Sequence, residues 1–487
     1  MTNSNGIQLI TYADRLGKNT ISGLHQFLKN ELDPIVKGIH LLPFFYPIDG
    51  ADAGYDANDN RIVDERIGSW EDFKKLSADF PSTVDLIINH VSNQSKEFQD
   101  VIAKGRKSEY FDLFLTKEKV LGSQPEQADI DKIYRPRPNQ PFSTVEVGNN
   151  EKIDFWTTFS AQQIDIDVHS TAGMDYIKSV LQTFEDNGIK MIRLDAVGYA
   201  IKKKGTSCFM IPETYEFIEE IVKRAHQHGI TVLVEIHAHY ETQQKIAKSA
   251  DFVYDFALPP LVLYSLIAKD FKRLKYWLEM SPRNCVTVLD THDGIGVMDV
   301  GPSGEKRGLL QDEEINFLVE SIHKNSGGES KMATGNAASN LDIYQVNCTY
   351  YDALGKDDNA YLMARAIQFF APGTPQVYYA GLFALENDME LLGETNVGRD
   401  INRPRISFEE ARAQMKKALV QKLFELIRFR NEHPAFQGDF RIDQSQDHIL
   451  QLAWEKDADF ATLQIDAERK HALIEFSEVS GKQQITL

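Results

Sequence analysis

Cysteine is scarce: three residues, Cys208, Cys285 and Cys348, are spread over a chain of 487. An odd count without metal-type spacing argues against a disulfide framework and against a structural zinc site. No run of 18 apolar residues occurs, so no membrane-spanning helix is predicted and no membrane partner is expected. The opening residues MTNSNGIQLITYADRLG lack a basic segment followed by an apolar one, the mark of a secretory leader. The expected location is the cytoplasm. Positive charge is also in short supply: Lys and Arg number 53 against 72 Asp and Glu, a net of −19. That field repels polyanions and argues against nucleic acid as a partner, while leaving room for one phosphate in a local basic pocket. Low-complexity tracts and short repeats are absent. With 42% hydrophobic and 26% charged residues, the composition is that of a globular protein long enough to bury its own core.

What is present is an alternation of short apolar runs and amphipathic stretches. The runs are Ile7–Tyr12, Gly38–Pro43, Val84–Asn89, Met191–Asp195, Thr231–Glu235, Phe252–Asp255, Cys285–Asp290 and Gln376–Tyr379. Most are rich in β-branched or aromatic residues, as strands buried on both faces require. Between them, Met174–Asn187 sets Met174, Ile177, Leu181 and Phe184 on one helical face, and Pro212–His228 does the same with Ile218, Ile221, Val222 and Ala225. Strand–helix alternation implies parallel strands, and eight of them imply a closed (β/α)8 TIM barrel. An open doubly wound sheet is the alternative, but no G-x-G-x-x-G opens any of these helices.

Two stretches break the rhythm. Residues 91–164 are too long for a βα loop and carry YRPRPNQP, so they read as an inserted domain after the third strand. Residues 294–355, with GPSGEKRG and NSGGES, read as a second inserted domain after the seventh. The barrel then comprises 1–90, 165–293 and 356–435. From 436 to 487 the pattern becomes alternating, with strand candidates at 449–454, 460–465 and 471–476, which predicts a small antiparallel β C-terminal domain.

Several strands end in a carboxylate. Asp195 closes the fourth and Glu235 the fifth, and the seventh runs into His292-Asp293. A barrel points all its strand C-termini at one face, where active sites lie, so these acids would converge. One Asp at a strand end is ordinarily a helix N-cap. Three converging without partners are costly unless they do chemistry or bind a cation.

Asp85-x-x-x-Asn89-His90, Arg193-Leu194-Asp195, Glu235 and His292-Asp293 resemble, in order and spacing, four signature regions of the α-amylase superfamily of retaining glycoside hydrolases and transglycosylases. Gln163-Ile164-Asp165-Ile166-Asp167 resembles a fifth. GADAGYD, YRPRPN, LDTHDGIG, NLDIYQVN and GRDINR are similar to its sucrose-phosphorolysing branch. The resemblance implies reversible phosphorolysis of sucrose to α-D-glucose 1-phosphate and fructose through a covalent β-glucosyl-enzyme. It implies that Asp195 is the nucleophile, Glu235 the general acid/base and Asp293 the transition-state stabiliser. Retention needs the two displacing carboxyls about 5–5.5 Å apart, with Glu235 raised in pKa and Asp195 kept ionised by Arg193. Sugar-binding positions implied in the same way are Tyr55, His90, Phe159, Arg193, Tyr199, His237 and His292, with Asp52 and Arg399 clasping the far end of the glucose ring. The acceptor loops match at Tyr134 and Arg137 and at Leu341, Asp342, Tyr344 and Gln345. Asp342 and Gln345 suit fructose hydroxyls, and Arg137 and Tyr344 suit phosphate.

The implied partners are small molecules: sucrose, fructose, glucose 1-phosphate and phosphate, the last as co-substrate. No cofactor and no metal are implied, and a homodimer is one assembly left open. Two features depart from the branch: Tyr55 stands where Phe is frequent, and Pro404-Arg405-Ile406 stands in place of His-Tyr-Tyr. The alternatives are phosphorolysis of a related α-glucoside, such as sucrose 6-phosphate or glucosylglycerol, and hydrolysis of sucrose. Lys202-Lys203-Lys204 reads as a solvated face.

Overall fold

A computed structural model describes residues 6–17, 20–50, 52–137, 139–148, 150–334, 345–479 and 481–487. Leu341, Asp342 and Tyr344 of the second acceptor loop lie outside the described residues. Eight parallel strands form a closed barrel: β1 (Gln8–Thr11), β2 (Gly38–Leu41), β3 (Ser82–Ile87), β4 (Met191–Asp195), β5 (Thr231–Val234), β6 (Phe252–Asp255), β7 (Cys285–Thr287) and β8 (Thr374–Tyr378). Each pairs with the next in sequence, and β8 closes on β1. All eight expected runs are strands. β2 and β3 are buried at every position, because helices cover the outside and side chains fill the inside.

The intervening helices follow the predicted faces. Thr171–Asp186 starts at Ser170, whose hydroxyl accepts from the Gly173 amide at 2.9 Å, and it buries Ile177, Leu181 and Phe184. Pro212–Gln227 opens on a proline that needs no amide partner and buries Ile218, Ile221, Val222 and Ala225. All three cysteines are free and buried. No helix among the described residues is long and apolar enough to cross a membrane.

Each long excursion is tied at its base. His90–Ser92 pairs antiparallel with Gln163–Asp165, so the segment between them leaves and re-enters at one point; it carries the hairpin Phe142–Val147/Glu151–Trp156. Ile295–Gly296 pairs antiparallel with Gln345–Val346 and brackets the helix Asp312–Asn325. Both excursions leave from strand C-termini and wall the same mouth of the barrel.

The C-terminal sheet has five antiparallel strands: β9 (Asp439–Ile442), β10 (Ile449–Lys456), β11 (Asp459–Asp466), β12 (His471–Glu478) and β13 (Gly481–Thr486). The alternating pattern marks the central three. The outer two are short or polar. β13 is exposed along most of its length and carries Lys482, as an edge that must not recruit another chain does. The sheet docks on the barrel through Trp454, whose indole donates to the Phe370 carbonyl at 2.8 Å, and through Phe436 packed edge-on to Phe370.

One expectation fails here. Lys202 is not on a solvated face. It is buried, and its ammonium donates to Asn89 Oδ1 at 2.8 Å and pairs with the fully buried Asp165 carboxylate. Asp165 also accepts from the Thr158 amide (3.0 Å) and hydroxyl (2.6 Å). This network fastens the loop after β4 to the base of the 91–164 excursion. Removing one partner of a buried pair leaves an uncompensated charge. Lys202→Met is therefore expected to cost about 3–5 kcal/mol of stability, read as a lowered midpoint in urea unfolding, with Lys203→Met unchanged.

Candidate active site

The register of β3 and β4 sets Asp85 directly opposite Arg193, both pointing into the barrel. Arg193 Nη1 donates to Asp85 Oδ1 at 2.5 Å and to Asp195 Oδ1 at 2.8 Å, and Nη2 lies 3.9 Å from Glu235 Oε1. One buried guanidinium thus stands among three buried carboxylates. Burial pushes the Asp85 carboxyl up, but Arg193 and His40, bonded at 2.9 Å, outweigh it and hold the carboxyl down at about 2.

Tyr55 does not offer its hydroxyl to the cavity. The hydroxyl turns toward Asp85 Oδ1 at 3.3 Å and lies 3.4 Å from Arg193 Nη1, while the ring stacks on His292 at 5.0 Å. The extra oxygen joins the ion-pair network, and the ring face walls the cavity.

Asp195 ends β4, and Glu235 follows directly on β5, its amide donating to the Leu194 carbonyl at 3.3 Å. Ala196 has φ 53°, a left-handed conformation unusual for any residue but glycine. That turn aims its amide at Glu235 Oε2 at 3.1 Å, so the backbone beside one carboxyl clamps the other. Sequence reasoning placed the raised carboxyl on Glu235; the structure raises Asp195. Burial pushes the Asp195 carboxyl well above the ordinary range, Arg193 opposes this, and the Glu235 charge adds to it. The reason is position: Asp195 is buried with the Glu235 and Asp85 carboxylates beside it.

His237 sits against Phe256, ring on ring at 4.0 Å. Its Nδ1 bonds Asp299 at 3.1 Å, and its Nε2 lies 3.6 Å from Glu235 Oε1. Burial alone lowers the imidazole, but Asp299, Glu235 and Asp293 outweigh it and push it up to about 9. Polar atoms of Glu235, His237 and Asp293 lie within 4.8 Å of one another, a grouping of metal-ligand type among the described residues. An imidazolium cannot ligate a metal until it loses its proton, so the two acids serve first as its counter-charges.

Asp293 is held from the other side. Arg399 Nη1 pairs with Oδ1 at 2.7 Å, Asn402 donates to its carbonyl at 3.0 Å, and the buried Arg403 donates to the His292 carbonyl at 2.8 Å. Burial raises the Asp293 carboxyl, and Arg399 and its other cationic neighbours more than reverse this, leaving it well below the ordinary range. His292 goes the opposite way: burial lowers it to about 3, so it is neutral.

At the far wall Asp52 accepts from Gln163 at 3.1 Å and pairs with Arg137 at 3.3 Å. Burial raises its carboxyl, but Arg137 first and then Arg399 drive it far below the ordinary range. Asp52 and Arg399 line the same cavity, and Arg137 joins them with its bond to Asp52. His90 donates to the Tyr55 carbonyl at 2.9 Å and meets the edge of Phe159 at 5.5 Å.

One cavity is lined by Asp52, Tyr55, His90, Arg137, Phe159, Arg193, Asp195, Tyr199, Glu235, His237, His292, Asp293, Gln345 and Arg399. All were singled out in the sequence. Ala196, Gly198, Phe209 and Ile236 complete the lining. Tyr134 stands behind it, stacked on Phe209 at 4.8 Å. Asp299, Lys202, His40 and Arg403 were not legible, because each acts through another side chain and belongs to no strand-end pattern. Pro404 and Arg405 stay outside the cavity. The Pro404 carbonyl accepts from Tyr379, the Ile406 amide donates to the Arg15 carbonyl at 2.9 Å, and Arg405 is exposed.

The catalytic-domain model of α-amylase matches residues 20–285. The chain is 52% identical to a sucrose phosphorylase of Agrobacterium vitis, over 96% of both chains. It is 47% identical to one of Bifidobacterium adolescentis, over 96% of this chain and 93% of that one. The crystal structure of a sucrose 6F-phosphate phosphorylase from Thermoanaerobacter thermosaccharolyticum superposes with a TM-score of 0.91 at 39% identity, covering 100% of this chain and 98% of that one. A closed eight-stranded barrel whose strand ends bring these acids to one mouth, and a family match over more than half the chain, lead to one conclusion: the protein belongs to the α-amylase family.

Proposed function

We propose that the protein transfers the glucosyl group of sucrose to inorganic phosphate, reversibly, giving α-D-glucose 1-phosphate and fructose. The observation that carries this reading is the Asp195–Glu235 pair on adjacent strands, held between Arg193 and the Ala196 amide at one wall of the cavity. The identity to two sucrose phosphorylases supports the choice of substrate. We take segments 91–164 and 294–355 as the inserted domains that wall this pocket.

The chemistry is a double displacement with retention. Asp195 attacks the anomeric carbon as Glu235 gives its proton to the glycosidic oxygen, and fructose leaves. Arg193 favours the anion on Asp195 against the burial that raises this carboxyl, because it bonds Asp195 at 2.8 Å and stands 3.9 Å from Glu235. A phosphate oxygen then attacks the glucosyl ester, Glu235 takes the phosphate proton, and Asp195 is freed. Asp293, ionised and fixed by Arg399, faces the positive charge that builds on the ring. Neutral His292 and the aromatic faces of Tyr55 and Phe159 bind the sugar without adding charge. Phosphate is the co-substrate, and neither displacement calls for a cofactor. In this reading phosphate draws Arg137 from Asp52 to the acceptor side.

Plain sucrose is favoured over a phosphorylated donor. Arg405, the extra cation of the departing segment, is exposed, and its charge acts on Asp14 and Asp49 rather than on the cavity.

Release of glucose 1-phosphate from sucrose is expected only with phosphate present, and more slowly from sucrose 6-phosphate. Free glucose as the sole product would make the enzyme a hydrolase. Glu235→Gln is expected to lose turnover on sucrose by at least about a hundredfold yet to keep more of it on glucosyl fluoride, whose leaving group needs no proton. Equal losses on both donors would remove the acid role. Arg137→Ala is expected to raise the phosphate KM about tenfold and the sucrose KM by less, as measured by steady-state kinetics.

A further inference from the structure

Asp299 belongs to none of the strand-end acids. It lies in the loop after Ile295–Gly296, fully buried. Its Oδ1 accepts from the Ala238 amide and from Gln243 Nε2, each at 3.1 Å, and its Oδ2 accepts from His237 Nδ1 at the same distance. The loop is built to bring it there. A Cβ on Gly296 would meet Asp299 Oδ2 at 2.4 Å and His237 Nδ1 at 3.3 Å, so only glycine leaves room for the pair. With Nδ1 bonded and the ring face on Phe256, the imidazole has one orientation. That orientation sets the buried Nε2 3.6 Å from Glu235 Oε1 at the cavity wall, with no hydrogen-bond partner among the described residues.

We infer that Asp299 is the positioning residue that keeps His237 a charged donor, with Nε2–H directed at Glu235 and at the phosphate that takes the place of fructose. The inference rests on the phosphorylase reading above. Phosphate brings negative charge to a cavity already holding Asp52, Asp195, Glu235 and Asp293. Arg193 and Arg399 are engaged with Asp195 and Asp293. A buried imidazolium beside Glu235 supplies a donor at the place where the phosphate oxygen must lose its proton.

The groups facing His237 are Asp299 at Nδ1 and Glu235 and Asp293 at the cavity edge, with Arg193 and Arg399 beyond them. Asp255 lies behind Phe256, and burial pushes its carboxyl up to about 7. The sign follows from this set. The carboxylates raise the imidazole to about 9, so its charge is present below that pH and lost above it. Without Asp299, burial prevails and the charge is lost at lower pH.

The test is steady-state phosphorolysis of sucrose by the full chain across pH, with sucrose and phosphate varied separately. In the wild type the phosphate KM is expected to climb above about pH 9 while the sucrose KM changes less. Asp299→Asn should raise the phosphate KM about tenfold at neutral pH and bring the basic limb down by about two pH units. Asp299→Glu should restore part of the limb. Gly296→Ala, which displaces the carboxylate from the other side, should shift the limb in the same direction as Asp299→Asn. A wild-type phosphate KM that stays flat to about pH 10, or equal changes in both KM values with an unmoved limb, would overturn the assignment. Should Asp299→Asn fail to fold, the wild-type profile alone decides. Failure of the underlying reading shows separately, as wild-type enzyme releasing no glucose 1-phosphate.

Discussion

A single guanidinium sets the terms for this molecule. Arg193 is enclosed at the barrel mouth with Asp85, Asp195 and Glu235 around it. Three carboxylates could not be buried together without it, and it could not be buried without at least one of them. The register between β3 and β4 is fixed by this requirement as much as by apolar packing, since a one-residue slip would turn Arg193 to the outside. Tyr55 and His40 then close around Asp85, and the Asp195 carboxylate receives its partner without leaving the strand.

The second half of the cavity repeats the pattern with different means. Arg399 neutralises Asp293, Arg137 neutralises Asp52, and His237 carries a proton between Asp299 and Glu235. Asp52, Asp195 and Asp293 are each bonded to an arginine. Glu235, read as the acid/base, is bonded instead to a backbone amide and faces the His237 imidazole.

Much of this was legible before any coordinates. Parallel strands buried on both faces are continuous apolar runs, and eight such runs with amphipathic helices between them admit few arrangements. Acids at the ends of those runs converge once the barrel closes, which places Asp195, Glu235 and Asp293, while the rest of the lining was named through the resemblance to the family. Residues that act at one remove could not be named. Asp299 lies in an irregular loop, and only the narrow space above Gly296 brings it to His237. Lys202 sits in a run of three lysines and looks exposed, because a sequence does not show which of three neighbours a turn folds inward. The proton affinity of Asp195 depends on depth and on neighbours from two other strands, and no local pattern encodes that. The outer strands of the C-terminal sheet were missed for the opposite reason: an edge that faces water carries no alternation.

Ala196 carries a cost that the rest of the chain must absorb. A left-handed backbone at a residue with a side chain stores on the order of 1–3 kcal/mol, and here that conformation is what delivers an amide to Glu235. The strain lies between Asp195 and Glu235, where relaxing it would let the amide swing away. Heat tolerance in such an enzyme has to be gained at a distance, along the β13 edge or where Trp454 docks the sheet on the barrel. Substitutions that make the mouth itself more comfortable would trade turnover for melting temperature.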